Sequence, residues 1–312
     1  MTKENPQPVN FQSISALLTA LGLDKPLHPL IALVNYKDIK VDTAEVGKGY
    51  ILNFFKISFK EHFAGQIRYG QGHYDFEEGG LSFTAPNQLI AAASEEKDYS
   101  GYTLLFHPDF IRNYPLGKQI AKYGFFSYSV AEALYLSDKE KKIIFSVFDN
   151  IAMELDTNID HFSQDVLISQ IEVLLNYSNR FYGRQFITRK IVHHDLIAEM
   201  EAYLLDIFSM DKPLVNGLPA VIEIANYLKV SPRYLNDMLR SLTGQTTQQH
   251  IHNKLIDKAK DILSTSQLTV AEIAYSLGFE HPQSFSRLFK TKVKVSPLEF
   301  RQSFVLMRPL KV

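Results

Sequence analysis

The sequence predicts an α+β protein of two domains, in which a β-rich N-terminal domain carrying a helical hairpin precedes an all-α C-terminal domain. Three observations carry this prediction. Short apolar or alternating runs fill residues 27–106, helical periodicity replaces them from Ser137, and one helix-turn-helix pattern is written twice near the C-terminus. With 312 residues, 46% of them hydrophobic, the chain can bury a core in each domain.

Taken in order, the segment ISALLTALGL suits a short helix with no evident role. The runs LIALVNY, YILNFFKISF, QIRYG, HYDF, LSFTA, LIAAA and YTLLF alternate with EVGKG, HFAG, GQG, EEGG and SEEKDYSG, and read as strands of a barrel or sandwich. Their aromatic residues, among them Tyr36, Phe54, Phe55 and Phe83, suit either a core or an apolar pocket. Ile143, Ile144, Val147, Phe148, Ile151 and Leu155 then recur at three- and four-residue steps. After DTNID, so do Val166, Ile168, Ile171, Leu174 and Leu175, which predicts an αα-hairpin over 137–181. A helix over about His194 to Phe208 follows, and SMDKPLVNGLP, with two prolines and a glycine, marks a boundary. The resulting domains are 1–185, a linker helix within 186–211, and 212–304.

The doubled pattern spans 221–244 and 270–294. Val221 aligns with Val270, Glu223 with Glu272, Ile224 with Ile273, Ala225 with Ala274 and Leu228 with Leu277. After one extra residue in the turn, Pro232 falls on Pro282, Leu235 on Phe285, Leu239 on Phe289 and Arg240 on Lys290. A helix, a tight turn and a second helix opened by proline make a helix-turn-helix, whose second helix fits the DNA major groove. Between the copies, a helix from about Thr247 to Leu263 buries Ile251, Leu255, Ile256, Ala259, Ile262 and Leu263, and sets the separation of the two reading helices. Thr269 with Glu272 and Ser296 with Glu299 are capping boxes, and Ser231-Pro232 places a capping serine before a first-turn proline.

Residues 269–301 also resemble the second helix-turn-helix of the AraC family of transcription regulators, through Ile273-Ala274, Gly278-Phe279, Ser284-Phe285-Ser286-Arg287, Phe289-Lys290, Ser296-Pro297 and Arg301. The resemblance implies a cupin-like β-barrel in the N-terminal domain, a dimer formed through its helical hairpin, and a small-molecule effector or dimerisation alone as the control. It implies promoter DNA and RNA polymerase as partners, with no cofactor and no catalytic role. Two departures from the family stand out. Asp237 occupies a position usually basic, and Lys294 one usually glycine.

Composition agrees. Residues 212–312 hold 14 Lys and Arg against 7 Asp and Glu, while residues 1–211 hold 19 against 27, so a basic module adjoins an acidic one. Cysteine is absent, which excludes disulfides and thiolate chemistry. The N-terminus lacks a signal-peptide pattern and no run suits a bilayer span, so a cytoplasmic location is expected. The alternative from another class is a cupin-type isomerase or dioxygenase with an appended DNA-binding domain. That reading needs an H-x-H and a glutamate between residues 27 and 106, where only His28, His62 and His73 occur, so no metal site is expected. Asp75, Glu77 and Glu78 read as a solvated hairpin turn, and His193-His194 and His250 with His252 fit no ligand spacing.

The expected DNA-binding residues follow from which face of each reading helix is apolar. With Phe285, Leu288 and Phe289 inward, Gln283, Ser286, Arg287 and Lys290 lie outward; with Leu235, Met238 and Leu239 inward, Arg233, Asn236, Asp237 and Arg240 do. Arginine pairs with guanine and glutamine with adenine, so Gln283 and Arg287 suit base edges, and Lys290 and Ser286 suit phosphates. Asp237 is left with two readings, a hydrogen bond from cytosine N4 or an ion pair with Arg233 or Arg240.

Overall fold

The computed structural model describes residues 8–39, 49–63, 66–69, 72–75, 79–91, 99–129, 132–157, 162–188, 190–208 and 217–306. The chain forms two compact units, one ending at Thr188 and the next beginning at Arg189. The sequence features at Glu77 and Glu78, and most of the boundary segment SMDKPLVNGLP, lie outside the described residues.

The first unit opens with β1 (Val9–Phe11), α1 (Ile14–Ala20), β2 (Ile31–Asn35), β3 (Gly49–Leu52) and β4 (Phe55–Phe63). Next come β5 (Gln66–Tyr69), β6 (Gly72–Asp75), β7 (Gly80–Thr84), β8 (Leu89–Ala91) and β9 (Tyr99–Phe106). Two short helices, α2 (Pro108–Ile111) and α3 (Pro115–Gln119), lead to β10 (Leu134–Tyr135) and the hairpin of α4 (Asp138–Asp156) and α5 (Ser163–Thr188). The strands form three sheets, ordered β10-β7-β4-β9-β2, β1-β3-β8 and β5-β6. Among the described residues no ladder joins them into a closed barrel.

Register places apolar side chains opposite one another on the five-stranded sheet. Ile57 of β4 faces Phe83 and Leu104, and Phe59 faces Leu81 and Tyr102. Phe148 of α4 stacks on Phe59 at 5.8 Å and on Tyr102 at 5.9 Å, so the hairpin closes this face. At the bulge between Lys60 and Phe63, Gly101 has φ 122°, and a Cβ there would meet the Phe59 carbonyl oxygen at 2.1 Å; only glycine fits.

The run YILNFFKISF, read above as one strand, is two. A bend at Asn53-Phe54 sends β3 into the three-stranded sheet and β4 into the five-stranded one. The cause is a second core. Phe54 is fully buried there with Leu52, Phe11, Leu105 and the α1 residues Ile14, Leu17 and Leu18, which gives α1 its role. Phe54, Phe55 and Phe83 are all buried, Phe55 stacking on Phe106 at 4.9 Å and Phe83 meeting Phe125 at 4.3 Å, so these rings are packed core.

The hairpin is anchored by one half-exposed arginine. Ser137 and Glu140 cap α4 reciprocally, and Arg184 of α5 grips the same carboxylate with Nε at 2.8 Å and Nη2 at 2.9 Å. Arg184 Nη2 also donates to the Tyr135 carbonyl at 2.7 Å, tying α4, α5 and β10 together.

The second unit is all helix: α6 (Lys190–Ile207), α7 (Val221–Tyr227), α8 (Pro232–Thr243), α9 (Thr247–Thr265), α10 (Val270–Ser276), α11 (Pro282–Val293) and α12 (Pro297–Leu306). Met200 and Leu204 of α6 are fully buried, and Tyr203 stacks on Tyr227 at 4.1 Å. That helix, read from sequence as a linker, therefore contributes to the core of this unit.

Candidate nucleic-acid interface

Both repeats fold to one template. α7 and α10 each have 7 residues, α8 and α11 each have 12, and the second helix starts at proline in each. Ile224, Ala225 and Leu228 are buried in the first repeat, and their counterparts Ile273, Ala274 and Leu277 in the second. The inner faces of the reading helices are sealed by Leu235, Met238 and Leu239 in α8 and by Phe285 and Phe289 in α11. Leu288, expected inward, is only half-buried.

Equal helix lengths make the eight expected residues four equivalent pairs: Arg233 with Gln283, Asn236 with Ser286, Asp237 with Arg287, and Arg240 with Lys290. Arg233, Arg240, Gln283, Arg287 and Lys290 are exposed; Asn236, Asp237 and Ser286 are half-buried. In α8, Arg233 Nε donates to Asp237 Oδ2 at 2.9 Å, while Asn236 Nδ2 approaches Asp237 Oδ1 at 3.5 Å.

The helix starts follow the sequence signals. Ser231 Oγ accepts from Tyr234 N at 3.2 Å, and Thr269 exchanges bonds with Glu272, as Ser296 does with Glu299. Hydrogen bonds from the Thr269 backbone and hydroxyl hold the Glu272 carboxyl below the usual carboxylate range, and those from Ser296 do the same for Glu299. α11 differs from α8 in its N-cap, since His281 makes no side-chain capping bond. Two reciprocal caps escaped the sequence reading, Ser137 with Glu140 and Thr246 with Gln249, although both fit the same pattern.

Each repeat needs two left-handed residues, one in its turn and one after its reading helix, and the two copies fill them in opposite ways. The turn has Lys229 at φ 58° in the first repeat and Gly278 at φ 79° in the second. The helix end has Gly244 at φ 72° in the first and Lys294 at φ 72° in the second. Lys294 thus keeps the glycine geometry at a steric cost, and its Nζ donates to the Thr291 carbonyl at 2.9 Å. Replacing Lys294 with Gly should therefore raise stability by about 1 kcal/mol, and Gly244→Lys, where a Cβ meets nothing within 4 Å, should lower it similarly. Thermal unfolding of both variants checks this; an unchanged or lower midpoint for Lys294→Gly would contradict it.

α9 ties both repeats together. Its apolar side chains Ile251, Leu255, Ala259 and Leu263 are buried, and Arg301 Nε donates to the Leu263 carbonyl at its end. Asn253 has a bond to each copy, accepting from Lys292 Nζ of α11 at 3.0 Å and donating to Gln245 Oε1 after α8 at 2.8 Å. Sequence reading missed Asn253, since nothing local marks a residue whose partners lie 8 and 39 positions away.

A family model described as a helix-turn-helix domain matches residues 224–303. The uncharacterized HTH-type transcriptional regulator YfiF of Bacillus subtilis is 26% identical over 146 residues, 47% of this chain and 43% of that protein. The HTH-type transcriptional activator RhaS of Escherichia coli is 27% identical over 140 residues, 45% of this chain and 46% of its own. The chain thus spans less than half the length of these relatives. A solved DNA-binding domain of AdpA, described as the global transcriptional factor and in complex with a target DNA, is 26% identical, covering 36% of this chain and 96% of that one with a TM-score of 0.32. Matched model, relatives and the motif from Ile273 to Arg301 agree: residues 224–303 form a helix-turn-helix domain similar to those of AraC-type transcription regulators.

Proposed function

We propose that this chain is a sequence-specific transcription regulator whose helices α8 and α11 enter successive major-groove segments of promoter DNA. The observation that carries the reading is the equivalence of the two repeats, which present Arg233, Asn236, Asp237 and Arg240, and Gln283, Ser286, Arg287 and Lys290, from the same four helix positions. Arg287 and Gln283 read base edges; Lys290 and Ser286 hold phosphates. In a randomised-site selection at one salt concentration, Arg287→Ala should cost about 1 to 3 kcal/mol on the selected site and relax one base pair. Lys290→Ala should weaken all sequences alike and lower the salt slope by about one. Unchanged base preference in folded Arg287→Ala protein would put the wrong helix face in the groove.

In this reading the N-terminal unit is a cupin-like barrel that receives a small-molecule effector or dimerises, and RNA polymerase is a partner at the promoter. A cytoplasmic location follows from the function; no helix among the described residues is long and apolar enough to cross a membrane. An effector acts by binding one arrangement of the protein better than another. Homodimerisation is supported by apolar residues left outward along the hairpin, Met153 at 69% exposure, Phe162 at 59% and Val166 at 40%. Residues 1–188 should sediment as a dimer at micromolar concentration, and a monomer under those conditions would remove this part of the proposal.

A further inference from the structure

Resting on that reading of α8, we infer that Asp237 is a positioning residue: it reads no base itself but aims Arg233 at one. Asp237 lies one helical turn beyond Arg233, and its Oδ2 accepts from Arg233 Nε at 2.9 Å. The bond engages Nε, which leaves the two terminal amino groups of the guanidinium outside it, and those are the donors that match guanine O6 and N7. Asp237 is 21% exposed and Arg233 46%, so the carboxylate is set into the helix surface while the guanidinium reaches out.

The charge pattern argues the same way. A carboxylate on a helix approaching phosphates is repelled, and an ion pair between residues four apart on one helix adds little to stability. The equivalent position in α11 is Arg287, and α11 holds no acidic residue at all. Only in α8 is the arginine placed a turn earlier, and only there is a carboxylate present to hold it. Arginine loses much rotamer freedom on binding; a side chain already held in one direction loses less, and discriminates better.

The test is randomised-site selection with the full-length protein as wild type, Arg233→Ala, Asp237→Ala, Asp237→Asn and the double alanine variant. Arg233→Ala and Asp237→Ala should relax the same base pair, discrimination there falling about ten-fold in each, with the double variant no worse than either. Asp237→Asn, which keeps an oxygen acceptor for Nε, should retain part of the preference. Asp237→Ala should also bind unrelated duplexes more tightly, because a negative charge has gone. If Asp237→Ala relaxes a different base pair from Arg233→Ala, the carboxylate is reading a base directly and the inference is overturned. Tighter binding with unchanged preference overturns it too, and reduces Asp237 to a charge. A wild-type protein that selects no sequence would instead defeat the proposed function as a whole, a result separable from both.

Discussion

A fragment beginning at residue 189 should fold and bind duplex DNA, whereas one beginning at 212 should be strongly destabilised. The difference is α6. Removing it strips Met200 and Leu204, both fully buried, from the core, and removes the Tyr203 ring that stacks on the exposed Tyr227. Deleting one large aliphatic side chain from a core costs about 2 to 5 kcal/mol, and a small domain holds only about 5 to 15 in total. The longer fragment should bind DNA with log affinity falling by about 0.9 per phosphate contact for each log unit of salt. Calorimetry and salt-dependent binding on both fragments check this. Equal melting temperatures would show α6 to be dispensable, and a folded long fragment that ignores DNA at low salt would sink the functional reading.

Phe289→Ala should be the most damaging single change in the second repeat. Its ring is fully buried, 5.8 Å from that of Phe285 and 5.5 Å from that of Phe300, so it locks α11 against α12 and its own inner face. Truncating a buried phenylalanine costs about 3 to 5 kcal/mol through lost transfer energy and the cavity left behind. Denaturant unfolding of residues 189–312 should show that loss, with Phe289→Leu recovering most of it. A cost below about 1 kcal/mol would mean the site collapses around the hole. The contrast with Arg287→Ala is diagnostic, since one variant loses stability and the other only sequence preference.

The second unit was legible because its signals are local. Capping residues, proline at the helix start and a 3.6-residue apolar period each act within one turn, and α8 to α12 begin where a capping residue or a proline stands. α6 was found as a helix joining the domains, but the burial of Met200 and Leu204 was not legible, because α9, against which α6 packs, is distant in sequence. In the first unit the runs of strand formers were evident, yet their sheet assignment was not. Nothing in YILNFFKISF announces the bend at Asn53-Phe54, which tertiary packing of Phe54 decides. For the candidate site, the periodicity proposed eight outward residues and left Asp237 between a cytosine and an arginine partner. The 2.9 Å bond from Arg233 depends on rotamers, which no local pattern displays.

If α8 and α11 read DNA as proposed, α9, held on its buried side by Ile251, Leu255, Ala259 and Leu263 and bridged to both repeats through Asn253, makes them a gauge of fixed length. DNA turns once in about 10 base pairs, so each added base pair rotates one half-site against the other by roughly a tenth of a turn. A gauge that cannot stretch measures helical phase as well as letters. Two half-sites with perfect sequence but half a turn of extra spacing would lie on opposite sides of the duplex, and this protein would hold only one of them.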